Sequence, residues 1–175
     1  MDIEKLHIDG AFAFKANPVE DERGSLVRIF DSVGIFPDFD VVQASYVENP
    51  IKGTLRGLHY QSGGHAENKI IQCIKGSIFD VQVDLRPNSR TFKKSHTIIL
   101  GPDEKFQGIF IPKNCAHGYI TLEKNSNLIY LMDNKYSMED SHGLNWDNEE
   151  VEINWPLDPV IVSIKDLSLP KNIWS

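Results

Sequence analysis

The segment that most constrains the fold runs from Ser77 to Arg86, where apolar and polar side chains alternate. The apolar positions are Phe79, Val81, Val83 and Leu85, and the polar positions are Asp80, Gln82 and Asp84. A period of two is the repeat of a β-strand, because successive side chains point to opposite faces. The segment therefore predicts a half-buried strand.

Further strands are predicted along the rest of the chain. Lys69 to Ile74 is rich in β-branched residues, and Lys75-Gly76 supplies a turn before the alternating segment, so the two runs together predict a β-hairpin. Other short β-prone runs are Leu26 to Phe30, Val41 to Val47, His96 to Leu100, Phe106 to Ile111, Gly118 to Leu122 and Asn127 to Met132. Turn-forming residues separate most of them.

Many short strands without long helical patterns indicate an all-β sandwich or barrel, and a jelly roll is the first choice. Brief helices are expected in Asp31 to Phe39 and in the tail from Ser163, where Pro37 and Pro170 limit their length. The chain shows no linker, composition shift or internal repeat. We therefore expect one domain over residues 1–175.

Composition excludes several classes of protein. A formal net charge of -7 and a pI near 5.3 argue against a general nucleic-acid binder, which needs a basic face. No apolar run approaches the roughly 20 residues of a membrane helix, and the start of the chain lacks the pattern of a secretory signal. Cys73 and Cys115 lie in apolar runs typical of buried free thiols. These features predict a cytoplasmic protein without a membrane or nucleic-acid partner.

The densest chemical pattern is Leu55-Arg56-Gly57-Leu58-His59-Tyr60-Gln61, which combines a fixed cation, a glycine and an imidazole. On a regular strand, Arg56 and Leu58 face the side opposite to Gly57 and His59. An isolated histidine of this kind is more often a hydrogen-bonded, half-buried residue than a catalytic one. The neighbouring motifs decide between the two interpretations.

A second histidine, His117, follows a Pro-Lys-Asn turn and resembles the inward histidine of the second conserved segment of cupin barrels. A metal-binding cupin carries a His-x-His pair in its first segment, whereas here Gln61 stands two residues after His59. His65 and Glu67 do not restore a ligand set with recognisable spacing. We therefore expect no metal and no cofactor.

Without a metal, the chemistry depends on acid–base residues and fixed charges. The candidates are His59, Lys69, His117, Tyr130 and Asp166. A carboxylate such as Asp166 makes a histidine a useful base by holding its tautomer and stabilising the imidazolium. Simpler alternatives stay open at this point: Asp166 as a helix cap, Tyr130 as a core aromatic and Lys69 as an exposed strand residue.

The motifs resemble, over nearly the whole chain, the dTDP-4-dehydrorhamnose 3,5-epimerases, which are metal-free cupins of nucleotide-sugar biosynthesis. Each motif is weak alone, but their order and spacing are specific. The matching segments are Asp21-Glu22-Arg23-Gly24, Gly53 to Gln61, Lys69, Phe79 to Arg86, Ile111-Pro112, Ala116-His117-Gly118, Tyr130, Tyr136-Ser137, Asn145-Trp146-Asp147, Trp155-Pro156 and Ser163-Ile164-Lys165-Asp166.

The resemblance implies a general base, His59, oriented by Asp166, and a proton donor, Tyr130, on the opposite face of the sugar. C3 and C5 of a 4-keto sugar both lie next to the carbonyl, so one base and one acid can invert either carbon through an enolate. The resemblance implies that Lys69, with His117, stabilises the enolate oxygen, a type of contribution typically worth about 10²–10³ in rate.

The same resemblance implies that Arg23 and Arg56 hold the diphosphate or nucleotide, that Gln43 lies in the substrate pocket and that Lys165 binds near the ligand. Guanidinium groups suit phosphate oxygens because their donors form a fixed fork. The family also implies a homodimer with exchanged strands, in which Arg23 reaches the neighbouring active site.

Three positions depart from the family pattern and concern the substrate pocket. Arg28 replaces an acidic residue, Ser45 ends a Gln43-Ala44-Ser45 segment where the family has Gln-Asp-Asn, and Ser141 or His142 stands where an acidic residue is expected. We place Arg28 and Ser45 among the substrate-binding candidates. The departures leave the sugar, the nucleotide and the choice between C3 and C5 open.

Three alternatives remain beside the 3,5-epimerase. One is a single-centre epimerase that uses another nucleotide sugar. A cupin oxygenase, the second, requires a bound transition metal. The third is a sugar-binding jelly roll without catalysis, which solvent deuterium incorporation into a keto-sugar nucleotide distinguishes from an enzyme.

Overall fold

The computed structural model describes residues 1–36 and 38–172, and fourteen strands lie within them. Six form the first sheet: β1 (Asp2–Lys5), β2 (Phe12–Lys15), β5 (Gln43–Asn49), β7 (Lys69–Lys75), β10 (Gly108–Ile111) and β12 (Ser126–Met132). Their spatial order is β1-β2-β10-β7-β12-β5, and every pair is antiparallel. The long steps in sequence between neighbours are typical of a jelly roll.

The second sheet packs against the first and also has six strands: β6 (Thr54–Gln61), β8 (Ile78–Asp84), β9 (Ser95–Leu100), β11 (Cys115–Thr121), β13 (Ser141–Gly143) and β14 (Ile161–Val162). Five of them follow the order β13-β6-β11-β8-β9, and β14 pairs in parallel with β6. The remaining two strands, β3 (Val19–Asp21) and β4 (Gly24–Leu26), form an exposed hairpin, here called the β3–β4 arm.

Three apolar clusters hold these layers together. The central cluster joins both sheets and includes Ile71 and Leu128 from the first and Tyr119 from the second. A second cluster covers the outer face of the second sheet with residues from the C-terminal part of the chain. An aromatic cluster, with Phe36 and Phe39 at its centre, covers the outer face of the first sheet. The central strands of both sheets are therefore covered on both faces, whereas edge strands such as β1 are exposed. The predicted all-β jelly roll is confirmed.

The predicted hairpin of Lys69–Ile74 with the alternating segment is wrong. β7 pairs with β10 and β12, whereas β8 pairs with β9 and β11 in the other sheet. Gly76, which has a φ of 72°, turns the chain from one sheet to the other. The turn residues were identified correctly, but a short turn can join packed sheets as well as neighbouring strands.

The alternating strand also differs from the half-buried strand predicted for it. Val81 and Val83 pack into the outer cluster of the second sheet, and Asp80, Gln82 and Asp84 are completely buried on the inner face. Alternation shows that two faces differ in polarity, but it does not show which of them meets water. Here the polar face points into the barrel.

The remaining expectations are met in part. The run Leu26–Phe30 contributes only the last residue of β4, and Phe30 packs into the aromatic cluster over the first sheet. No helix forms in the described residues of 31–39, whereas the tail contains the short helix α1 (Ile164–Leu167). Pro37 lies outside the described residues. None of the described helices has the length and apolar character needed to cross a membrane.

Candidate active site

A cavity of about 200 Å³ lies between the two sheets, and an adjoining cleft of about 480 Å³ shares four of its residues. Both sheets contribute predicted site residues to the cavity. The second sheet supplies Arg56, His59 and His117, the first sheet supplies Gln43, Lys69 and Tyr130, and the C-terminal helix supplies Lys165. Seven of the predicted residues thus meet in one place.

The His59 ring is held by a buried carboxylate. Its Nε2 lies 2.8 Å from Oδ1 of Asp166, and the backbone N–H of Gly57 donates to Oδ2 at 3.0 Å. Burial opposes the charged form of Asp166, but the hydrogen bonds from His59 and Gly57 outweigh it and lower the pKa of this carboxyl. Asp166 is therefore an anion at neutral pH and a hydrogen-bond acceptor for the imidazole.

The short helix α1 delivers this carboxylate. Ser163 caps the helix, and its hydroxyl accepts a hydrogen bond from the Asp166 N–H at 3.0 Å. The alternative role of Asp166 as the cap is thus wrong, since Ser163 occupies that position. With the cap filled, the Asp166 side chain is free to reach β6.

An irregularity in β6 places Arg56 and His59 together. His117 of β11 pairs with His59, and Tyr119 pairs with Arg56, so β6 advances three residues where β11 advances two. This is a β-bulge, and it changes the face to which the following side chains point. The prediction that Arg56 and His59 face opposite sides of a regular strand is therefore wrong.

Gly57 makes the bulge possible. Its φ is 118°, and a Cβ added there would lie 2.6 Å from the Gly118 Cα of β11. Only glycine tolerates this conformation and this close approach. The glycine between Arg56 and Leu58 thus has a structural role next to the catalytic candidate.

The second histidine also has an acidic partner. His117 Nε2 lies 2.6 Å from Asp80 Oδ2, and both side chains are buried. Burial raises the pKa of Asp80, although the nearby His117 partly offsets this effect. Asp80 comes from the polar inner face of the alternating strand β8, and sequence reasoning did not assign it to the site.

Lys69 is fixed by a second carboxylate that sequence reasoning did not assign to a role. Its ammonium lies 2.5 Å from Oε1 of Glu67, and both side chains are largely buried. Gln61 donates from Nε2 to Oε2 of Glu67 and accepts from the Ser137 N–H at 2.6 Å. Lys69 is therefore not the exposed strand lysine of the simpler alternative, and Gln61 braces its partner.

Tyr130 faces the histidines from the opposite sheet. Its ring lies 6.2 Å from that of His117, edge to face. Burial raises the pKa of Tyr130 well above its usual range. The hydroxyl therefore keeps its proton at neutral pH, as a proton donor must.

Arg56 is anchored by Asn49, a fully buried residue on β5. Asn49 Oδ1 accepts from Arg56 Nε at 2.9 Å and from the Tyr119 hydroxyl at 3.3 Å, while Asn49 Nδ2 donates to the Ser126 carbonyl at 3.0 Å. Sequence reasoning missed Asn49 and Tyr119. The two-residue period of a strand was the available signal, because it relates Asn49 to Gln43 on β5 and Tyr119 to His117 on β11.

Three predicted substrate residues are absent from the residues that line this cavity. Arg23 lies on the exposed β3–β4 arm and pairs with Asp21 at 2.5 Å. Arg28 is exposed and lies 3.4 Å from Asp31. Ser45 is half-buried on β5, opposite Tyr130 in the strand pairing. Substrate contacts by these three residues stay predictions.

The geometry suits proton transfer at a carbon next to a carbonyl. A histidine backed by an anion can take a proton, a lysine can stabilise the resulting oxyanion, and a protonated tyrosine on the other sheet can return a proton. Among residues 1–36 and 38–172, no group of three His, Cys, Asp or Glu side chains is arranged to hold a metal ion.

Known proteins resemble this chain in sequence over almost its whole length. The family model for dTDP-4-dehydrorhamnose 3,5-epimerase matches residues 5–172. The dTDP-4-dehydrorhamnose 3,5-epimerase of Shigella flexneri is 33% identical over 174 residues, which cover 96% of this chain and 94% of the relative.

Solved structures agree with the sequence relatives. The dTDP-4-dehydrorhamnose 3,5-epimerase of Bacillus anthracis, with TDP and PPi bound, has a TM-score of 0.88 and 32% identity, covering 97% of this chain and 98% of that one. The dTDP-6-deoxy-D-glucose-3,5-epimerase of Legionella pneumophila, in complex with dTDP-4-keto-L-rhamnose, has a TM-score of 0.89 and 29% identity, covering 99% and 94%. This chain belongs to the dTDP-4-dehydrorhamnose 3,5-epimerase family, and it is an isomerase.

Proposed function

We propose that the protein inverts C3 and C5 of a dTDP-linked 4-keto-6-deoxy sugar, with His59 as the base and Tyr130 as the acid. The observation that carries the proposal is the His59–Asp166 pair, 2.8 Å apart, in a cavity that Tyr130 enters from the facing sheet. A base and an acid on opposite walls can act on opposite faces of one ring. Removal on one face and return on the other inverts the carbon.

The proposed reaction begins when His59 takes the proton from C3 or C5 on Nδ1, the ring nitrogen left free because Nε2 donates to Asp166. The electron pair moves into the C4 carbonyl and forms an enolate, whose oxygen is stabilised by Lys69 with the help of His117. Tyr130 then donates its proton to the same carbon on the other face, and the carbonyl forms again. A positioned base contributes about 10²–10⁴ in rate, and each oxyanion donor about 10²–10³.

The nucleotide end of the substrate is assigned to the cleft beside the cavity. Arg56 and Lys165 line both spaces and supply positive charge in a protein of net charge -7. Gln43 lines the cavity on the other side, where its Oε1 accepts from the Tyr136 N–H at 3.2 Å. The Bacillus anthracis relative was solved with TDP bound, which supports a thymidine nucleotide.

Incubation in deuterated water with dTDP-, UDP-, GDP- and CDP-linked 4-keto-6-deoxy sugars tests the function. NMR of the product is expected to show deuterium and inversion at C3 and C5 with the dTDP sugar. Label at one carbon would instead assign a single-centre epimerase. Binding without label in any sugar would overturn the enzyme proposal in favour of a sugar-binding protein.

We propose that the protein is a homodimer in which the β3–β4 arm packs against a second copy. Val19 and Leu26, both about two-thirds exposed, are apolar residues on an arm that packs against little of its own chain. Arg23 at the tip could then reach the partner's cavity. Sedimentation is expected to give a dimer that Leu26→Asp weakens, and a monomeric native protein would contradict the proposal.

A cytoplasmic location is proposed from the state of the cysteines. Cys73 and Cys115 are free and buried, and burial raises the pKa of each thiol to about 12. Free thiols persist most readily in a reducing compartment. Cell fractionation tests this location. We also propose that residues 1–175 form one domain, which a single cooperative unfolding transition would support.

A further inference from the structure

We infer that Asn49 and Tyr119 are positioning residues that fix the proton donor Tyr130 and the cation Arg56 relative to each other. This inference rests on the proposed function, because it assigns a role to groups behind the acid of that reaction. Neither residue lines the cavity described above. Both lie behind its wall, completely buried.

Asn49 is held in one orientation. It is fully buried, and its Nδ2 donates to the Ser126 carbonyl at 3.0 Å. That bond joins β5 to the start of β12, the strand that carries Tyr130. The amide therefore has a fixed orientation, with Oδ1 available to accept two hydrogen bonds.

Two donors meet at this oxygen. Arg56 Nε donates at 2.9 Å, and the Tyr119 hydroxyl donates at 3.3 Å. The side chains come from positions paired across β6 and β11. One buried acceptor thus sets the direction of both a cavity cation and a tyrosine hydroxyl.

Tyr119 also lies close to the acid, Tyr130. Tyr130 packs against the apolar cluster that contains Tyr119, and the His117 ring lies 6.3 Å from Tyr119 and 6.2 Å from Tyr130. Burial is the largest cause of the raised pKa of Tyr130, and the neighbouring Tyr119 side chain raises it further. Tyr119, which Asn49 holds in place, thus packs beside the side chain that gives the proton.

The Asn49–Tyr119 pair should therefore affect proton return but not proton removal, and the two rates can be measured separately. Proton removal by His59 does not involve the Asn49–Tyr119 pair, whereas proton return by Tyr130 depends on the aim of its hydroxyl. Loss of the Tyr119 hydroxyl should therefore slow inversion but leave exchange of the substrate proton with solvent. A purely structural role would lower both rates together.

The test uses Tyr119→Phe in the full chain, which keeps the buried ring and removes one oxygen. We expect inversion to fall about tenfold, the effect of one hydrogen bond worth about 1.4 kcal/mol, while deuterium exchange changes less than twofold and KM is unchanged. The matched control is Tyr46→Phe, on β5, whose exposed hydroxyl bonds to Asn127 and Glu48 instead. Parallel loss of inversion and exchange, or no loss, would overturn the inference.

A second variant and a second readout keep the result decisive. Asn49→Ala removes the hydrogen-bond acceptor of both Arg56 and Tyr119, so it should raise KM about tenfold and slow inversion. Combining Asn49→Ala with Tyr119→Phe should cause no further loss in the rate of inversion. Additive losses in the rate of inversion would show that Asn49 and Tyr119 act independently, which would contradict the inference.

The other readout does not depend on turnover. In protein labelled at the tyrosine Cζ carbons, the Tyr130 resonance should titrate at lower pH in Tyr119→Phe than in the wild type or in Tyr46→Phe. An unchanged Tyr130 titration would overturn the inference even if the proposed substrate were wrong. Absence of exchange by the wild-type protein, with a shifted titration, would contradict only the proposed function.

Discussion

Two histidines line the cavity, and each pairs with an aspartate in different surroundings. In the first pair, His59 is 2.8 Å from Asp166, and its side chain is 40% exposed. In the second pair, His117 is 2.6 Å from Asp80, and its side chain is only 5% exposed. The pKa is lowered for Asp166 and raised for Asp80. The same two residue types thus form groups with opposite electrostatic behaviour.

The difference comes from the burial of each carboxylate and from what its second oxygen contacts. Oδ2 of Asp166 accepts from the Gly57 N–H at 3.0 Å, whereas Oδ1 of Asp80 is buried without a hydrogen-bond partner. A buried anion needs several donors to stay charged, and Asp166 has them. The exposure of the His59 side chain and the second hydrogen bond to Asp166 therefore make His59 the better base, more than the histidine–aspartate pairing itself.

The largest expected effect comes from replacing each of the two histidines, in separate variants, with the same neutral residue, asparagine. His59→Asn should lower deuterium exchange and inversion by about 10⁴, the upper range for a general base. His117→Asn should lower them by about 10², as expected for one oxyanion donor. NMR measures both rates, and circular dichroism checks the fold. Equal losses in the two variants would remove the distinction between the pairs.

A smaller effect is expected from the two aspartates. Asp166→Asn removes the anion that stabilises the His59 imidazolium, so exchange should fall about 10²-fold. Asp80→Asn should reduce exchange much less, because Asp80 does not support the base. Its effect on the free energy of unfolding should be about 1–3 kcal/mol in either direction, since an amide replaces a poorly satisfied buried carboxyl. A greater loss of exchange for Asp80→Asn would reverse our assignment.

The sequence predicted the first pair better than the second. The motif around His59 and the Ser163 to Asp166 segment were both recognisable, and the structure brings them into contact. Asp80 was visible only as a polar position on an alternating strand. Its inward direction depends on the layer of residues 144–155 that covers the opposite face of the second sheet. That layer comes from a distant part of the chain.

Other parts of the site depended on details that local patterns do not contain. The bulge that turns Arg56 and His59 to the same cavity needs Gly57 beside Gly118, a contact between two strands that are far apart in sequence. The crossing at Gly76 was hidden for a similar reason, since strand partners are chosen by the whole sheet. Local periodicity therefore predicted strands and residue types, but it did not predict neighbours.

The smallest effect is a difference in how stability depends on pH. Asp166 has a folded pKa below the ordinary value of 3.8, so its contribution to stability is present above the unfolded pKa and is lost as the pH falls through the folded pKa. Asp80 has a raised folded pKa, so its contribution is present below 3.8 and is lost as the pH rises through the folded value. The two carboxyls thus act in opposite directions between acid and neutral pH.

Urea unfolding of Asp166→Asn, Asp80→Asn and the wild type between pH 3 and pH 7 measures this difference. Relative to the wild type, Asp166→Asn should lose stability as the pH rises, because the wild type gains from the ionised carboxylate that the variant lacks. Asp80→Asn should gain relative stability over the same range, because the wild type must keep a buried carboxyl protonated or ionise it at a cost. Slopes of the same sign would mean that the two pairs share one environment, and the electrostatic contrast between His59 and His117 would then have to be abandoned.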